Sequence, residues 1–206
     1  LAGFTHRPAI ELAERLASYA PGDLGHAFFA SDGASATEIA IKMSVHCWRN
    51  RGYPHKRGIV HLAGSYHGET LGALAVTDVA MFRDAYASLL VPQARIDSPV
   101  PREGETRDAA AQRAADALEH HLAAHHASVA ALIVEPLVQG ATGMRMYDAG
   151  WLTQARALCT RYDVHLIADE IMTGFGRTGS MFACEQAAVA PDLMCLSKGI
   201  TGGVLP

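Results

Sequence analysis

The chain lacks long hydrophobic runs, paired cysteines and an excess of positive charge. No apolar segment approaches the roughly 18 residues of a membrane-spanning helix. Its 4 cysteines are scattered, without the close pairs of a zinc site or a redox motif. The formal net charge of −4 gives no electrostatic basis for binding nucleic acid or a membrane surface. We therefore expect reduced thiols in a cytoplasmic protein, with no membrane or nucleic-acid partner.

The composition that is present is typical of a globular α/β protein. Hydrophobic residues make up 50% of the 206 positions and charged residues 18%, which excludes a disordered chain. Apolar strand-like runs alternate with segments of helical period, and this alternation predicts a mainly parallel sheet covered by helices. We assign one domain to residues 1–206. Because the sequence starts in mid-pattern at Leu1 and breaks off at Pro206, we expect a piece of a longer protein.

The periodicity also sets approximate bounds for the individual elements. A segment rich in Pro, Asp and Gly at 91–106 is predicted to be a surface loop. Predicted helices cover 8–19, 36–47, 108–126 and 151–162. Predicted strands cover 26–30, 58–62, 131–135, 164–168 and the apolar stretch that precedes Lys198.

An acidic pair and a lysine end two of these predicted strands. Asp169 and Glu170 follow one apolar run, and Lys198 follows the next. The separation of Asp169 and Lys198 is close to the ~30 residues that a strand, a crossover and a parallel strand need. Asp169 and Lys198 are therefore expected at equivalent ends of parallel strands, where ligands of open α/β sheets bind. Pyridoxal phosphate requires this pair, an acid for its pyridine nitrogen and a lysine for covalent attachment.

Other interpretations of the same residues stay open on the pattern alone. A lysine at a strand end is usually an ordinary surface residue, and Glu170 is a candidate acid for capping a neighbouring helix. An acidic pair after an apolar strand is also typical of nucleotide triphosphatases. That class needs a G-x-x-x-x-G-K-[ST] loop, whereas the glycine-rich segment 174–179 has no lysine. A catalytically silent binding module on the same fold is a further alternative.

Two turns carry small or aromatic residues that suit a flat, phosphorylated cofactor. Gly33 and Ala34 precede a predicted helix, whose free N–H groups and positive end favour a phosphate. Tyr66 lies in a glycine-bounded turn, where its ring is placed to stack on a flat ligand. Taken singly, each feature is more often that of an ordinary turn or of simple packing.

Four histidines that lie close in sequence resemble a metal cluster. They are His120, His121, His125 and His126. No carboxylate or cysteine at a recognisable spacing completes the set of ligands. A solvated face of an alanine-rich helix is the simpler interpretation, and we predict no metal site.

Together, these motifs make the chain similar to the class III aminotransferases of the fold-type I pyridoxal-phosphate enzymes, over essentially its whole length. The segments that carry the resemblance are Gly33–Glu38, Ser65–Gly68, Val134–Pro136, Ala168–Ile171, Thr173–Gly179 and Ser197–Gly199. Within the class, two further segments most resemble the branch that serves biotin biosynthesis. These segments are Val138–Tyr147 and Phe182–Glu185.

The resemblance implies a fold-type I large domain, pyridoxal 5'-phosphate as cofactor, and catalytic roles for Lys198 and Asp169. Lys198 would carry the cofactor and Asp169 would bind its pyridine nitrogen. The implied cofactor-binding residues are Gly33, Ala34, Tyr66, Asp169, Ile171 and Lys198. The implied substrate-binding residues are Tyr66, Arg177 and Lys198.

The same resemblance implies the reaction and the assembly of the whole protein. The biotin-pathway branch implies S-adenosylmethionine as amino donor, 8-amino-7-oxononanoate as acceptor and a homodimer. Another class III aminotransferase of ω-amino acids or diamines is the alternative. Family members continue into a small C-terminal domain, so we expect the 206-residue chain alone to bind cofactor weakly and to be inactive.

Two positions depart from the commoner pattern of the class. Met172 replaces a glutamine that would bond the phenolic oxygen of the cofactor, and a thioether is a much weaker hydrogen-bonding group. This substitution counts against an ornithine or γ-aminobutyrate enzyme and fits the biotin-pathway branch. Ala34 replaces a commoner serine, which removes one hydroxyl group from the expected phosphate site.

Overall fold

The centre of the fold is a parallel sheet built from short apolar strands. The computed structural model describes residues 3–205. Leu1 and Pro206, on which the expectation of a longer protein was based, lie outside the described residues. The helices are α1 (Arg7–Tyr19), α2 (Gly33–Asn50), α3 (Leu71–Ala75), α4 (Ala80–Arg83), α5 (Arg107–His125) and α6 (Ala149–Arg161). The strands are β1 (Gly58–Leu62), β2 (Ala94–Ile96), β3 (Val129–Val134), β4 (Val138–Gln139), β5 (Arg145–Met146), β6 (His165–Asp169) and β7 (Leu193–Cys195). Short 3-10 helices cover Asp84–Leu89, Ala183–Ala187 and Lys198–Thr201.

Within residues 3–205, the main sheet has five strands in the order β2-β1-β3-β6-β7, and every neighbouring pair is parallel. The strands β4 and β5 form a separate antiparallel hairpin. This arrangement confirms the predicted fold class. The register of the last pair places Asp169 beside Cys195, so the ends of β6 and β7 lie side by side.

The central strand β3 is buried on both faces, as expected of a parallel sheet covered by helices. Leu132 and Val134 belong to the core formed with α5 and α6. Ile133 alternates to the opposite face and packs in the core formed with α2, where Trp48 is 1% exposed. Fully burying each such side chain contributes about 1.5–3 kcal/mol. The two cores hold the strand ends in fixed relative positions.

Two of the predicted elements are wrong. Residues 26–30 form no strand, and Phe28 and Phe29 are 67% and 50% exposed. Their apolar character favours a strand locally, but none of the strands described in residues 3–205 pairs with them. The predicted loop 91–106 contains β2, which pairs with the edge of β1. Tertiary pairing therefore overrides the Pro- and Gly-rich composition at that edge.

The remaining predicted helices and strands are found, with bounds shifted by at most three residues. No helix within residues 3–205 is both long enough and apolar enough to cross a membrane. The strand β7 is an edge strand of the described sheet.

Candidate active site

The carboxyl ends of four parallel strands deliver polar side chains to one edge of the sheet. Tyr66 follows β1, Glu135 follows β3 directly, Asp169 ends β6, and Lys198 lies three residues beyond β7. Because all four strands run in the same direction, these residues share the edge at which open α/β sheets bind ligands. The structure therefore places Asp169 and Lys198 at neighbouring strand ends, as the sequence predicts.

A buried hydrogen bond to His67 fixes the orientation of Asp169. Its Oδ2 lies 2.7 Å from Nδ1 of His67, and its Oδ1 accepts a hydrogen bond from the N–H of Ile171 at 3.1 Å. Asp169 is 4% exposed and the His67 side chain is fully buried. Each carboxylate oxygen has two lone pairs, so the group retains room for one more donor. Among the described residues, Nε2 of His67 has no hydrogen-bond partner.

Lys198 has an unusual backbone conformation. Its φ of +44° lies in the left-handed region, which costs a residue with a side chain about 1–2 kcal/mol. The next residue, Gly199, packs under Phe175, and a Cβ at Gly199 would lie 2.8 Å from Cβ of Phe175. This packing supports the strained turn. Such strain in a well-packed turn is common at functional sites.

The Lys198 side chain is exposed and borders an open cleft. Lys198 and Arg177 line this cleft, whose volume is about 430 Å³, together with Gly203, Val204 and Leu205. Arg177 is also exposed. The structure thus brings two of the predicted substrate-binding residues to the wall of one cleft.

The amino end of α2 lies against the same region. A Cβ at Gly33 would meet the Ile171 side chain at 3.1 Å and Cβ of Ser197 at 3.4 Å. Asp32 caps the helix by accepting hydrogen bonds from the N–H and the hydroxyl of Ser35, both at 2.8 Å. These hydrogen bonds lower the pKa of Asp32. The predicted phosphate-binding pair Gly33–Ala34 therefore sits beside the residues that precede Lys198.

A second close contact joins α2 to the turn after β1. Gly68 has a φ of +123°, which favours glycine, and a Cβ there would lie 2.6 Å from Cβ of Ala34. Any larger residue at position 68 would therefore force the two segments apart. This contact packs the turn that carries Tyr66 against the start of α2.

Tyr66 is half-buried and held at both ends. Its N–H donates to Oε1 of Glu135 at 2.9 Å, and its hydroxyl donates to Oε1 of Glu69 at 3.0 Å. Its ring lies 5.1 Å from that of Phe82, between centroids. Burial, followed by the hydrogen bond and charge of Glu69, raises the pKa of Tyr66 to about 12. Tyr66 is thus a neutral phenol at physiological pH.

Two residues of the site, His67 and Glu135, were not singled out from the sequence as site residues. His67 contacts Asp169, and Glu135 accepts the N–H groups of Tyr66 and Gly140. Both stand in motifs noted above, and Glu135, like Asp169, is an acid at the end of an apolar strand. The position at a strand end could have identified Glu135 as a site residue. For His67 the only such signal was its place next to Tyr66.

Glu170 has a structural role instead of a catalytic one. It is fully buried and accepts hydrogen bonds from the N–H groups of Ala183 at 3.1 Å and Cys184 at 2.8 Å, and from the hydroxyl of Thr173. It therefore caps the 3-10 helix Ala183–Ala187, in agreement with the capping interpretation.

We expect Glu170→Ala to destabilise the protein by about 3–5 kcal/mol, because buried donors lose a charged acceptor. Glu185→Ala is the control, since Glu185 accepts only the N–H of Phe182 at the surface of the same helix and its loss should cost about 1 kcal/mol. Urea unfolding of both variants measures the difference. Equal free energies of unfolding would contradict the capping role.

The histidine cluster lies away from these strand ends, near the carboxyl end of α5. The rings of His121 and His125 are 4.9 Å apart, between centroids. Burial lowers the pKa of His121, as do the neighbouring histidines to a smaller extent. Within residues 3–205, no group of three or more His, Cys, Asp or Glu side chains is arranged to hold a metal ion.

The residues at the strand ends fit a pyridoxal phosphate group. The buried carboxylate of Asp169 has a free lone pair for the pyridine N–H, and Lys198 supplies an exposed amine from the neighbouring strand end. The small residues Gly33 and Ala34 begin a long helix beside them. An amine, a fixed acid and a small-residue helix start are the donor set that this cofactor needs.

The chain belongs to the class-III aminotransferase family, because residues 1–206 match the sequence profile described as "Aminotransferase class-III". This match confirms the resemblance inferred from the motifs. The adenosylmethionine-8-amino-7-oxononanoate aminotransferase of Geobacter sulfurreducens is 41% identical over 210 residues, covering 100% of this chain and 46% of that protein. The enzyme of the same name from Synechococcus elongatus is 46% identical over 206 residues and is covered to 48%. The chain thus spans slightly under half the length of these curated relatives.

Solved structures of the family have the same fold. Adenosylmethionine-8-amino-7-oxononanoate aminotransferase from Methanocaldococcus jannaschii superposes with a TM-score of 0.90 at 33% identity, covering 100% of this chain and 46% of that one. The omega transaminase of Pseudomonas jessenii in complex with PMP gives a TM-score of 0.93 at 31% identity, with 100% and 46% covered. These structures confirm the fold-type I transaminase architecture.

Proposed function

We propose that the protein is a pyridoxal-phosphate-dependent aminotransferase that moves the amino group of S-adenosylmethionine to 8-amino-7-oxononanoate, giving 7,8-diaminononanoate for biotin biosynthesis. The observation that carries the proposal is the buried His67–Asp169 pair at the strand end next to Lys198. The names and identities of the curated relatives support the choice of substrates.

Asp169 binds and orients the pyridine ring through its nitrogen. When bound, pyridoxal phosphate supplies an electron-withdrawing ring that stabilises negative charge on the substrate carbon. His67 keeps Asp169 oriented by donating from Nδ1, and a charge-assisted hydrogen bond of this kind is about twice as strong as a neutral one. Burial of the pair excludes water, which strengthens both interactions.

Lys198 would hold the cofactor covalently through Nζ, and the same atom would serve as the general base. Released from that attachment, Nζ would be the base that takes the proton from the substrate carbon and holds it for return. Its strained turn beside Phe175 fixes where the amine emerges from the backbone. The left-handed conformation at Lys198 thus serves to position the base.

Gly33, Ala34 and Ile171 hold the rest of the cofactor. The first two present backbone N–H groups at the positive end of α2 to the phosphate. Ile171 lies against Gly33 and would pack against the cofactor ring. Tyr66 would stack on the ring and border the substrate, and Arg177 would attract substrate groups from the wall of the cleft.

A second candidate function is the transamination of ω-amino acids or diamines. The fold similarity to omega transaminases supports it, since that comparison has a higher TM-score than the one with the biotin-pathway enzyme. Met172 favours the biotin-pathway enzyme. Its methyl group lies 3.1 Å from where a Cβ of Gly140 would be, so the thioether packs against the Gly140 turn. Amino-donor assays with S-adenosylmethionine, a diamine and an ω-amino acid distinguish the two functions.

Borohydride reduction of the cofactor-loaded full-length protein should place the label on Lys198 alone. Lys42 is exposed on α2, and Lys56 is buried with its amine bonded to the carbonyl of Asp163. Neither lies at the carboxyl ends of the strands. Peptide mapping locates the label, and loss of the visible absorbance band on reduction reports attachment. A label on Lys42 or Lys56 would overturn the assignment, and a colourless protein would favour a silent binding module.

We also propose that the full-length protein is a cytoplasmic homodimer. The helix α1 has no buried residue, although it carries Ile10 and Tyr19, which are 46% and 56% exposed. Exposed apolar faces of this kind favour association. The four cysteines are free thiols, and three of them are buried, which supports a reducing compartment. Sedimentation of the full-length protein tests the dimer.

A further inference from the structure

Glu135 is a buried acid that has no part in the proposed chemistry. It follows β3 directly and is 5% exposed. Each of its two carboxylate oxygens accepts one backbone N–H group. Oε1 accepts from Tyr66 at 2.9 Å, and Oε2 accepts from Gly140 at 2.9 Å. One side chain therefore joins two separate turns at the edge of the site.

These two turns are also joined by neighbouring contacts. Nε2 of Gln139 donates to the carbonyl of Ala63 at 2.9 Å, and the hydroxyl of Thr142 donates to the carbonyl of Gly64 at 3.2 Å. The β4–β5 hairpin thus lies along the turn that carries Tyr66. Only Glu135 contacts Tyr66 itself among these bonds, so it is the link that reaches the predicted ring-stacking residue.

We propose that Glu135 is a positioning residue that holds the Tyr66 turn and the Gly140 turn in register at the active site. It acts through the two N–H groups and does not touch the substrate. This inference rests on the proposed function, because it assigns Tyr66 to the cofactor and the substrate. One buried carboxylate accepts an N–H group from each turn, so the two turns are held to each other as well as to β3.

The surroundings of Glu135 give the link a dependence on pH. Burial raises its pKa from 4.5 to about 7, the charge of His67 opposes this shift, and the charge of Asp169 adds to it. From the hairpin side, the Tyr147 hydroxyl donates to the Glu135 carbonyl at 2.6 Å. When the turns open, water reaches Glu135 and its pKa returns toward 4.5. Ionisation of Glu135 therefore favours the open form. Opening should therefore become easier as the pH rises from about 4.5 to about 7, and should level off above that.

The test is Glu135→Gln in the full-length protein, with Glu119→Gln as the matched control. The amide preserves the shape, but its NH₂ group cannot accept the hydrogen bond that one carboxylate oxygen accepts. Glu119 pairs with Arg161 at the surface of α5, so its amide variant makes the same chemical change outside the site. Thermal unfolding of both variants checks that the fold is retained.

Hydrogen exchange of the cofactor-free protein is the first readout. In Glu135→Gln, peptides that cover residues 64–69 or 138–143 should exchange roughly tenfold faster or more, while β3 remains protected. The ratio of variant to wild-type exchange should shrink as the pH rises from 5 to about 7 and stay level above that, because the wild-type turns open more easily over that range. A general loss of stability would instead accelerate exchange in β3 as well. Unchanged exchange in both peptides would overturn the inference.

Kinetics of the loaded enzyme are the second readout. Glu135→Gln should lower kcat/KM roughly tenfold while borohydride still labels Lys198. Unchanged kcat/KM, with Glu119→Gln also unchanged, would show that Glu135 does not position the site. Failure of the proposed function is distinguishable, because it would appear as an unlabelled Lys198 in the wild type, whereas the exchange measurement needs no cofactor.

Discussion

Replacing Lys198 with alanine is expected to lower kcat/KM of the full-length enzyme by about four orders of magnitude or more. The variant loses both the attachment point of the cofactor and the base that moves the proton. General acid–base catalysis alone contributes roughly 10²–10⁴-fold, and covalent attachment adds to that figure. The fold should persist, because the side chain is exposed and its removal leaves no cavity. Alanine at position 198 keeps a Cβ, so the free-energy cost of the left-handed backbone there stays the same.

The control for this variant is Lys42→Ala, since Lys42 is an exposed lysine on α2. Single-turnover transamination followed by the absorbance of the bound cofactor is the appropriate measurement. Added small primary amines should restore part of the activity of Lys198→Ala, because they replace the missing base. A loss of less than tenfold would rule out the assigned role of Lys198.

The second large effect is expected for Asp169→Asn. The amide is nearly isosteric, but it cannot stabilise a protonated pyridine nitrogen and leaves His67 without its anionic partner. Removing the carboxylate that faces the protonated pyridine nitrogen costs about 3–5 kcal/mol, as for one partner of a buried charge pair, which corresponds to roughly two to four orders of magnitude in rate. The loss should appear mainly in the proton-transfer step and less in attachment of the cofactor to Lys198.

Asp108→Asn is the matched control for this substitution, because Asp108 is exposed in the first turn of α5. Single-turnover rates and the yield of borohydride labelling should be measured on the same samples. Near-normal transamination by Asp169→Asn would contradict the proposed contact with the pyridine nitrogen. A parallel loss of folding, measured by circular dichroism, would indicate a structural effect instead.

The sequence was sufficient to predict the fold class and the positions of Asp169 and Lys198. In sequence, parallel strands are apolar runs separated by a crossover segment. The spacing of two such runs was therefore enough to predict that the ends of β6 and β7 are neighbours. The strand β2 was missed because its pairing depends on the edge of β1, which a local pattern does not contain. The predicted strand 26–30 failed for the opposite reason, since local apolar character was present without a partner.

The site was predicted less completely than the fold. Asp169 has a sequence signature, whereas the histidine that orients it belongs to a turn after another strand. Glu135 looks like a simple strand-terminal acid until its two backbone donors are seen. Contacts of this kind depend on the relative positions of loops, which spacing along the chain does not determine. The roles of Arg177, Ile171 and Tyr66 remain predictions.

The strand order of the sheet also bears on how the site comes into being during folding. His67 and Asp169 are separated by 102 positions in sequence, yet they form the central contact of the site. Their meeting requires β1, β3 and β6 to be assembled in order, and each of these pairings closes a long segment of chain. Folds dominated by such non-local pairings form slowly. The cofactor site therefore forms late in folding. A nascent chain in which β6 has not yet been synthesised has no pocket that could bind the cofactor.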